Sequence, residues 1–302
     1  MKLYKKTENL KLNALNEKAF KLERDIQNLF EANLEELMGL TVVKSEFTIK
    51  DKRIDTLAYD KQTNAFIIIE FKRERNISAI EQGFAYLSLM LENKADFIVE
   101  YNERLKQNLQ RKDVDWTQTR VVFVSTAFTD YQKQSTNFKD IAIELWEVKQ
   151  YENGTIAVIP IKKTSAAASI KSAPQQYPLS KKVSDEIKVY TEDDLLVRGS
   201  DETRELYYKF RYAILNLADD IEVNATKLYL AFRKDRNIVC MDMQKKQIRM
   251  WIGAKFGTLD DARELARDVS NTGHWGTGDY EINVTSDKDL EYIMSLIKQV
   301  IL

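Results

Sequence analysis

Residues 53–74 of the chain read RIDTLAYDKQTNAFIIIEFKRE, and this stretch decides the fold that we expect. It divides into two strand-like segments, 53–60 and 65–74, separated by a polar break at 61–64. Residues 66–69 are an unbroken apolar run with three isoleucines, a pattern typical of a central strand that is covered on both faces. The stretch therefore predicts two paired strands at the centre of a buried sheet.

Charge begins abruptly where this apolar run ends. Because side chains alternate along a strand, Glu70 and Lys72 share a face with Phe66 and Ile68. Burying such charges without partners is costly, so the sequence requires groups that compensate them. Asp55 lies on the preceding strand, where a hairpin can bring it beside Glu70. Two carboxylates with a lysine beside them predict a site for a hard divalent cation.

An Asp on one strand and Glu-x-Lys on the next, here Asp55 and Glu70-Phe71-Lys72, resembles the PD-(D/E)xK nuclease superfamily. The resemblance implies an α/β fold, with an αβββαβ restriction-endonuclease-like core and a mixed sheet. It also implies DNA cleavage that depends on Mg²⁺, with Mn²⁺ as a substitute. Asp55, Glu70 and the main-chain carbonyl of Phe71 would hold the metal, while Lys72 would orient or deprotonate the attacking water and stabilise the transition state.

Two helices that flank these strands extend the resemblance. Gln82 and Tyr86, on a helix predicted over 77–91, are similar to the Q-x-x-x-Y motif of the RecB-like and NucS-like branches, which implies contacts with the metal-bound water or the phosphate backbone. Alone, such a pair at helical spacing is commonplace; its place directly after Glu-x-Lys favours a role in the site. Glu23, on a helix predicted over 17–38, matches an acid that some of these families add. It equally fits a charge at the edge of the apolar stripe that pairs with a neighbouring cation.

Three arginines flank the proposed site and are candidate phosphate contacts, namely Arg53, Arg73 and Arg75. If the second strand continues that far, Arg73 points away from Lys72, since neighbouring residues face opposite sides. Each of the three equally fits a solvated charge at a strand end.

Composition sets broad limits on the function. The chain has 302 residues, 44% of them apolar, enough for two domains with separate cores. Its 46 basic and 47 acidic residues give a formal net charge of -1, so a DNA partner would need a locally basic cleft. The single cysteine, Cys240, excludes an intramolecular disulfide and a cysteine-based zinc site. With a polar N-terminus and no apolar run near the roughly 20 residues of a membrane span, we expect a cytoplasmic protein without membrane association.

The pattern of elements divides the chain into a nuclease-like domain at 1–161, a linker at 162–184 and a smaller α+β domain at 185–302. Lysines, small residues and two of the three prolines cluster in the linker. The second domain resembles an uncharacterised C-terminal domain that often follows such nuclease-like domains and is sometimes labelled a predicted transport protein; its partner is unknown. Other predicted elements are strands at 42–49, 97–101, 120–125, 141–148 and 155–161, helices at 103–109, 203–217, 259–269 and 287–301, and an antiparallel C-terminal sheet of about four strands.

Residues 273–278, Gly-His-Trp-Gly-Thr-Gly, allow two interpretations. The three glycines would let backbone amides approach a ligand, and a nucleobase could stack on Trp275. The interpretation that we favour is a tight loop whose Trp275 closes the core of the small domain. His274 is the only histidine of the chain, so no Ser-His-Asp triad can be assembled in the first domain.

The sequence thus predicts a Mg²⁺-dependent endodeoxyribonuclease that acts in DNA repair or in defence against foreign DNA. The NucS-like branch is the nearest resemblance for residues 17–126, but there the nuclease domain follows a DNA-binding domain, whereas here it comes first. This difference leaves the DNA substrate open. The alternative is a non-catalytic module that keeps the fold and binds nucleic acid or protein; the intact Asp55, Glu70 and Lys72 argue against it. Paired cuts on duplex DNA would require a homodimer, which no sequence feature indicates.

Overall fold

The computed structural model describes residues 2–72, 79–164, 166–170, 183–234 and 236–301, and the chain forms two compact units. The first comprises Met1–Val189 and the second Tyr190–Leu302. In the segment 162–184, which the sequence predicts as a linker, Ile170 and Val183 are buried in the core of the first unit. Every described helix is too short or too polar to span a membrane.

The first unit is built on a six-stranded sheet in the order β3-β4-β5-β6-β7-β8. Strands β3 to β5 pair antiparallel, β5 to β7 pair parallel, and β8 returns antiparallel to β7. This arrangement is the predicted αβββαβ core with a mixed sheet. The strands of the sheet are β3 (Thr41–Ile49), β4 (Lys52–Asp60), β5 (Ala65–Lys72), β6 (Arg120–Ser125), β7 (Ile143–Gln150) and β8 (Ile156–Pro160). The unit also contains a separate pair of strands, β1 (Tyr4–Lys6) and β2 (Leu12–Ala14), and the helices α1 (Glu23–Ala32), α2 (Leu34–Met38), α3 (Ala79–Glu92), α4 (Lys94–Leu105) and α5 (Asp130–Ser135).

Strand β5 lies at the centre of this unit, and every residue from Ala65 to Phe71 is buried. Ile67 and Ile69 belong to the core on the side of α1 and α2, whereas Phe66 and Ile68 belong to the core on the side of α3 and α4. The prediction of a central strand covered on both faces is therefore confirmed. Because a slip of one residue would exchange the two faces, this double burial fixes the register of β5 and the places of the charges at its end.

Some predicted boundaries in this unit were wrong. The expected strand at 97–101 and helix at 103–109 are replaced by α4 (Lys94–Leu105), in which Phe97 and Tyr101 are buried one helical turn apart while Val99 is 52% exposed. The apolar run at 97–99 was interpreted as a strand because so short a run does not distinguish the period of a helix from that of a strand. The helix expected over 17–38 is divided at Asn33, which lies outside helical geometry and donates its side-chain amide to the carbonyl of Leu29.

The second unit is an antiparallel sheet of six strands in the order β13-β14-β12-β11-β10-β9, rather than about four. The expected helix at 259–269 was wrong: the carboxylate of Asp261 accepts hydrogen bonds from the amides of Leu265 and Ala266, a local bonding pattern that competes with a regular helix. The strands of the second unit are β9 (Glu222–Ala225), β10 (Leu230–Arg233), β11 (Asn237–Met243), β12 (Ile248–Ile252), β13 (Arg267–Asp268) and β14 (Tyr280–Val284). The helices of this unit are α6 (Glu192–Leu196), α7 (Asp201–Leu215) and α8 (Leu290–Ile301).

The two faces of this sheet are covered differently. One face carries the large core shared with α6, α7 and α8. On the other face a smaller apolar cluster is centred on Trp251, which is fully buried. Trp275 is 61% exposed, so the favoured interpretation that it closes the core was wrong.

Candidate active site

The ends of β4 and β5 bring two carboxylates to one place in the first unit. The antiparallel register ends with Thr56 opposite Ile69, so Asp55 comes next to the residues that leave the apolar part of β5. The Oδ2 atom of Asp55 accepts a hydrogen bond of 2.9 Å from the backbone N–H of Phe71. Asp55 is therefore anchored to the chain between Glu70 and Lys72.

Glu70 is a buried acid that is only partly compensated. Glu70 is 3% exposed. Its Oε1 atom accepts hydrogen bonds from Lys72 Nζ at 2.7 Å and from Gln82 Nε2 at 3.1 Å. Its Oε2 atom is also buried and accepts no hydrogen bond from the residues that the structure describes. An ionised buried carboxylate with an unsatisfied oxygen is unfavourable unless a further positive charge or donor reaches it.

Burial and neighbouring charges shift the pKa values of Asp55 and Lys72. Burial and, after it, the negative charge of Glu70 raise the pKa of Asp55 to about 6, although the N–H of Phe71 and the ammonium of Lys72 oppose both effects. Burial by itself lowers the pKa of Lys72, but the hydrogen bond and charge of Glu70, with the charges of Asp55 and Glu23, outweigh it and leave that pKa raised. Lys72 thus remains an ammonium at neutral pH, and it lies beside two acids, Asp55 and Glu70.

Helix α3 supplies the next layer of contacts. Nε2 of Gln82, which reaches Glu70, also donates to the hydroxyl of Tyr86 at 3.2 Å, and that hydroxyl donates to the carbonyl of Arg53 at 3.4 Å. Burial, followed by the charge of Glu70, raises the pKa of Tyr86, so its hydroxyl stays protonated. The Gln82 and Tyr86 pair predicted from the sequence therefore connects α3 to the ends of both strands that carry the acids.

The remaining predicted site residues make no direct side-chain contact with Asp55 or Glu70 among the contacts that the structure describes. Glu23 is the first residue of α1 and is exposed, not on the buried stripe, although its charge acts on Lys72. The guanidinium of Arg53 is 69% exposed and pairs with Glu46 at 2.8 Å. The side chain of Phe71 is buried in the core, and the role of its carbonyl stays a prediction. Arg73 and Arg75 lie outside the described residues.

A buried polar network, not predicted from the sequence, supports Asp55 from α1. Gln27 is 6% exposed, and its Nε2 atom donates to the carbonyl of Asp55 at 2.8 Å, to Ser45 Oγ at 3.2 Å and to Glu31 Oε1 at 3.1 Å. The hydroxyl of Thr56 donates to the same oxygen of Glu31. A signal was present, because Glu23, Gln27 and Glu31 are spaced four apart and form one polar line along α1.

The donor set fits a metal that prefers oxygen ligands. Asp55 and Glu70 are acids held together where β4 and β5 pair, and one buried oxygen of Glu70 has no hydrogen-bond partner in the part of the chain that the structure describes. Within the described ranges no group of three or more His, Cys, Asp or Glu side chains could hold a metal. Two carboxylates fall short of the three or four protein ligands of a zinc site, whereas Mg²⁺ can be held by one or two carboxylates.

Comparison with other sequences identifies a relative over almost the whole length. The chain is 54% identical over 290 residues to an uncharacterised protein of Haemophilus influenzae, and the match covers 96% of each protein. Residues 192–299 match the family model DUF5655, described as a domain of unknown function. The second unit therefore corresponds to an uncharacterised C-terminal domain, as expected from the sequence.

Comparison with solved structures finds partial likenesses. A repair endonuclease from Pyrococcus abyssi is 19% identical with a TM-score of 0.23, over 40% of this chain and 44% of the other. EndoMS in a complex with double-stranded DNA is 19% identical with a TM-score of 0.27, over 41% and 45%. SfsA of Pyrococcus furiosus in complex with Ca²⁺ is 14% identical with a TM-score of 0.25, over 50% and 76%. The chain spans less than half the length of the first two, and these TM-scores are too low to carry an argument about function.

Proposed function

The chain belongs to the same family as the Haemophilus influenzae protein, and we propose that its first unit is a metal-dependent endodeoxyribonuclease that hydrolyses DNA phosphodiester bonds. The proposed setting is DNA repair or defence against foreign DNA. The observation that carries the proposal is the buried Glu70, whose Oε2 accepts no hydrogen bond from any described residue, beside an Asp55 whose pKa is raised to about 6. A core charge of this kind is destabilising, and a cation that both acids bind would offset it.

Asp55 and Glu70 are the residues that would hold Mg²⁺ or Mn²⁺, with the carbonyl of Phe71 as a third ligand. The metal would supply the acidity that turns a bound water into a nucleophile, and positive charge beside the scissile phosphate. The N–H of Phe71 holds the Asp55 carboxylate in place for this role. DNA phosphates bring their own negative charge, so the excess of acid at this site also requires a cation before a substrate can approach.

The raised pKa of Lys72 favours one of its two expected roles. A lysine that stays protonated cannot accept a proton from water, so we assign it the electrostatic role: its ammonium stabilises charge that develops on the phosphate. Gln82 and Tyr86 act as positioning residues in this scheme, because they fix the orientation of Glu70 and of the strand end beside it.

The test is cleavage of single-stranded, duplex, flapped and mismatched DNA with Mg²⁺ or Mn²⁺. We expect wild type to cut at least one of these DNAs, and Asp55→Asn and Lys72→Met to lose cleavage. Matched controls are Asp51→Asn and Lys52→Met, since those side chains lie just before Asp55, are 79% and 59% exposed, and take no part in the site. Controls should cut like wild type.

The preferred substrate would begin to separate repair from defence. If wild type cuts none of these DNAs but binds DNA or a protein equally well with and without the Asp55 carboxylate, the nuclease proposal fails and the chain is a binding module with a nuclease-like fold. Loss of cleavage in Lys52→Met as well would show that the effect is general loss of positive charge, not the chemistry of Lys72.

A further inference from the structure

The second unit carries an exposed tryptophan on a loop that the proposed nuclease function does not use. Trp275 is 61% exposed in the segment 272–279, which precedes β14. Leaving a large aromatic surface in water is unfavourable, and a mobile loop could reduce that cost by folding the ring against the sheet. The contacts of this loop explain why the indole ring of Trp275 does not pack against the sheet.

Hydrogen bonds fix the loop at Thr277 and at Asp279. The hydroxyl of Thr277 accepts from Asn237 Nδ2 at 3.0 Å, and its backbone N–H donates to the sulfur of Cys240 at 3.4 Å. Two residues further on, the N–H of Asp279 donates to the carbonyl of Ala254 at 2.9 Å. The loop is therefore attached to β11 and to the segment that follows β12.

Two glycines show how closely the loop approaches the sheet. A Cβ at Gly276 would overlap the ring of Trp251, and a Cβ at Gly278 would overlap the carbonyl oxygen of Ile252. Gly278 also has a φ of 100°, a conformation that other residues rarely adopt. The close approach leaves no room for the ring of Trp275 beneath the loop, so the side chain is held outward.

His274 is oriented by the same packing. Its ring stacks on Trp251 with centroids 6.0 Å apart and an angle of 23° between the planes. Its Nδ1 atom lies 2.8 Å from the carbonyl oxygen of Thr272. Because a carbonyl can only accept, Nδ1 carries the proton, and in the neutral ring Nε2 is an acceptor. An oriented imidazole thus lies next in the chain to an exposed indole.

Exposed charges of both signs lie at the same end of this sheet, with Asp268 opposite Tyr280. The register pairs Val239 with Ile252 and Ile252 with Tyr280, so the turn before β11, the segment after β12 and the loop before β14 all meet there. Arg236 and Lys255 belong to the first two of these segments and are exposed. An exposed aromatic ring at the same end of a sheet as exposed cations is a combination that can bind unpaired nucleobases and their phosphates.

We propose that Trp275 and His274 form a stacking site for an unpaired base of single-stranded nucleic acid, with Arg236 and Lys255 close to the adjoining phosphates. The anchored loop lowers the entropy cost of binding, because the backbone that carries the indole is already held in place. This site is distinct from the acids of the first unit and does not depend on cleavage. A binding site for a single strand in the second unit would let the protein engage DNA where it is unpaired.

The test is fluorescence anisotropy of a labelled oligothymidine of about 20 nucleotides with the full chain in EDTA, where metal-dependent cleavage is absent. We expect Trp275→Ala to raise Kd by about fivefold or more, since stacking contributes about 1 to 3 kcal/mol per base. Trp275→Phe should keep most of the affinity. Tyr212→Ala is the matched control, because this aromatic residue of α7 is 73% exposed and lies outside the site, and it should bind like wild type.

An abasic oligonucleotide with the same phosphates separates stacking from charge. Wild type should bind it as weakly as Trp275→Ala binds oligothymidine. The proposal is overturned if wild type binds no single strand, if it binds both oligonucleotides equally, or if Trp275→Ala has wild-type affinity. Since no arm of the test requires Asp55 or a metal, its failure leaves the nuclease proposal standing, and absence of cleavage leaves this proposal standing.

Discussion

Replacing Asp55 by Asn should stabilise the protein at neutral pH. The pKa of Asp55 rises from 3.8 to about 6, which at about 1.4 kcal/mol per pKa unit corresponds to about 3 kcal/mol. Solvent screening at this half-buried side chain reduces the expected gain in unfolding free energy to about 1 to 2 kcal/mol. Asn keeps an oxygen that can accept the Phe71 N–H, so the anchor of the side chain is retained.

The pH dependence tests the physical cause. Below the ordinary pKa of 3.8 the carboxyl is protonated in both the folded and the unfolded chain. As pH rises towards 6, the folded state binds more protons than the unfolded state, so wild type loses stability relative to Asp55→Asn. The advantage of the variant should therefore be small at about pH 4 and complete above about pH 7.

The assay is urea denaturation in EDTA at a series of pH values. It should be analysed as separate transitions, because a chain with two units need not unfold in one step. Asp51→Asn removes a carboxylate that is 79% exposed and should show no such trend. A loss of stability in Asp55→Asn at neutral pH, or a difference that does not vary with pH, would refute the reasoning.

Three further predictions follow from the same contacts. Mg²⁺ should raise the melting temperature of wild type but not of Asp55→Asn, because a ligand stabilises only the state that binds it; equal shifts would place the metal elsewhere. Gln27→Leu should cost about 1 to 3 kcal/mol of unfolding free energy in urea, since it leaves buried acceptors without a donor; an unchanged midpoint would contradict this network. Gly276→Ala should destabilise the second unit by about 1 to 3 kcal/mol in thermal denaturation because its Cβ overlaps Trp251, whereas Gly273→Ala, with open space around it, should change little, and equal effects would refute the close approach.

Strand β5 was predictable because two independent signals agree there. Its apolar run required burial on both faces, and the charges that end the run could only lie at the edge of the core. Glu70, Lys72 and Gln82 make the direct contacts expected of neighbours in one site. The order of these residues along the chain was thus informative about their proximity, since consecutive elements of a small sheet are adjacent in space.

Other features depend on tertiary contacts that no local pattern contains. Gln27 is an ordinary helix residue in sequence, and only the approach of β4 to α1 makes its amide the donor to the carbonyl of Asp55. The exposure of Trp275 has the same origin. From the sequence, either Trp251 or Trp275 could have filled the smaller apolar cluster of the second unit. Trp251 fills it because β12, which carries this residue, pairs with β11.

The support around Asp55 explains how the chain keeps an unfavourable charge in position. Burial and the charge of Glu70 both favour the protonated acid, yet the Phe71 N–H and the Gln27 amide hold the side chain and its backbone in one arrangement. A carboxylate fixed in this way cannot turn towards solvent to relieve the repulsion, so protonation or the cation that we propose would relieve it. Stability without metal and affinity for metal should therefore change in opposite directions when the charge is removed. Asp55→Asn should unfold at higher urea in EDTA and gain nothing from Mg²⁺, whereas Gln27→Leu, which keeps both carboxylates but loosens their support, should lose stability and bind Mg²⁺ more weakly. If Gln27→Leu instead binds Mg²⁺ as wild type does, the support from α1 serves the fold alone.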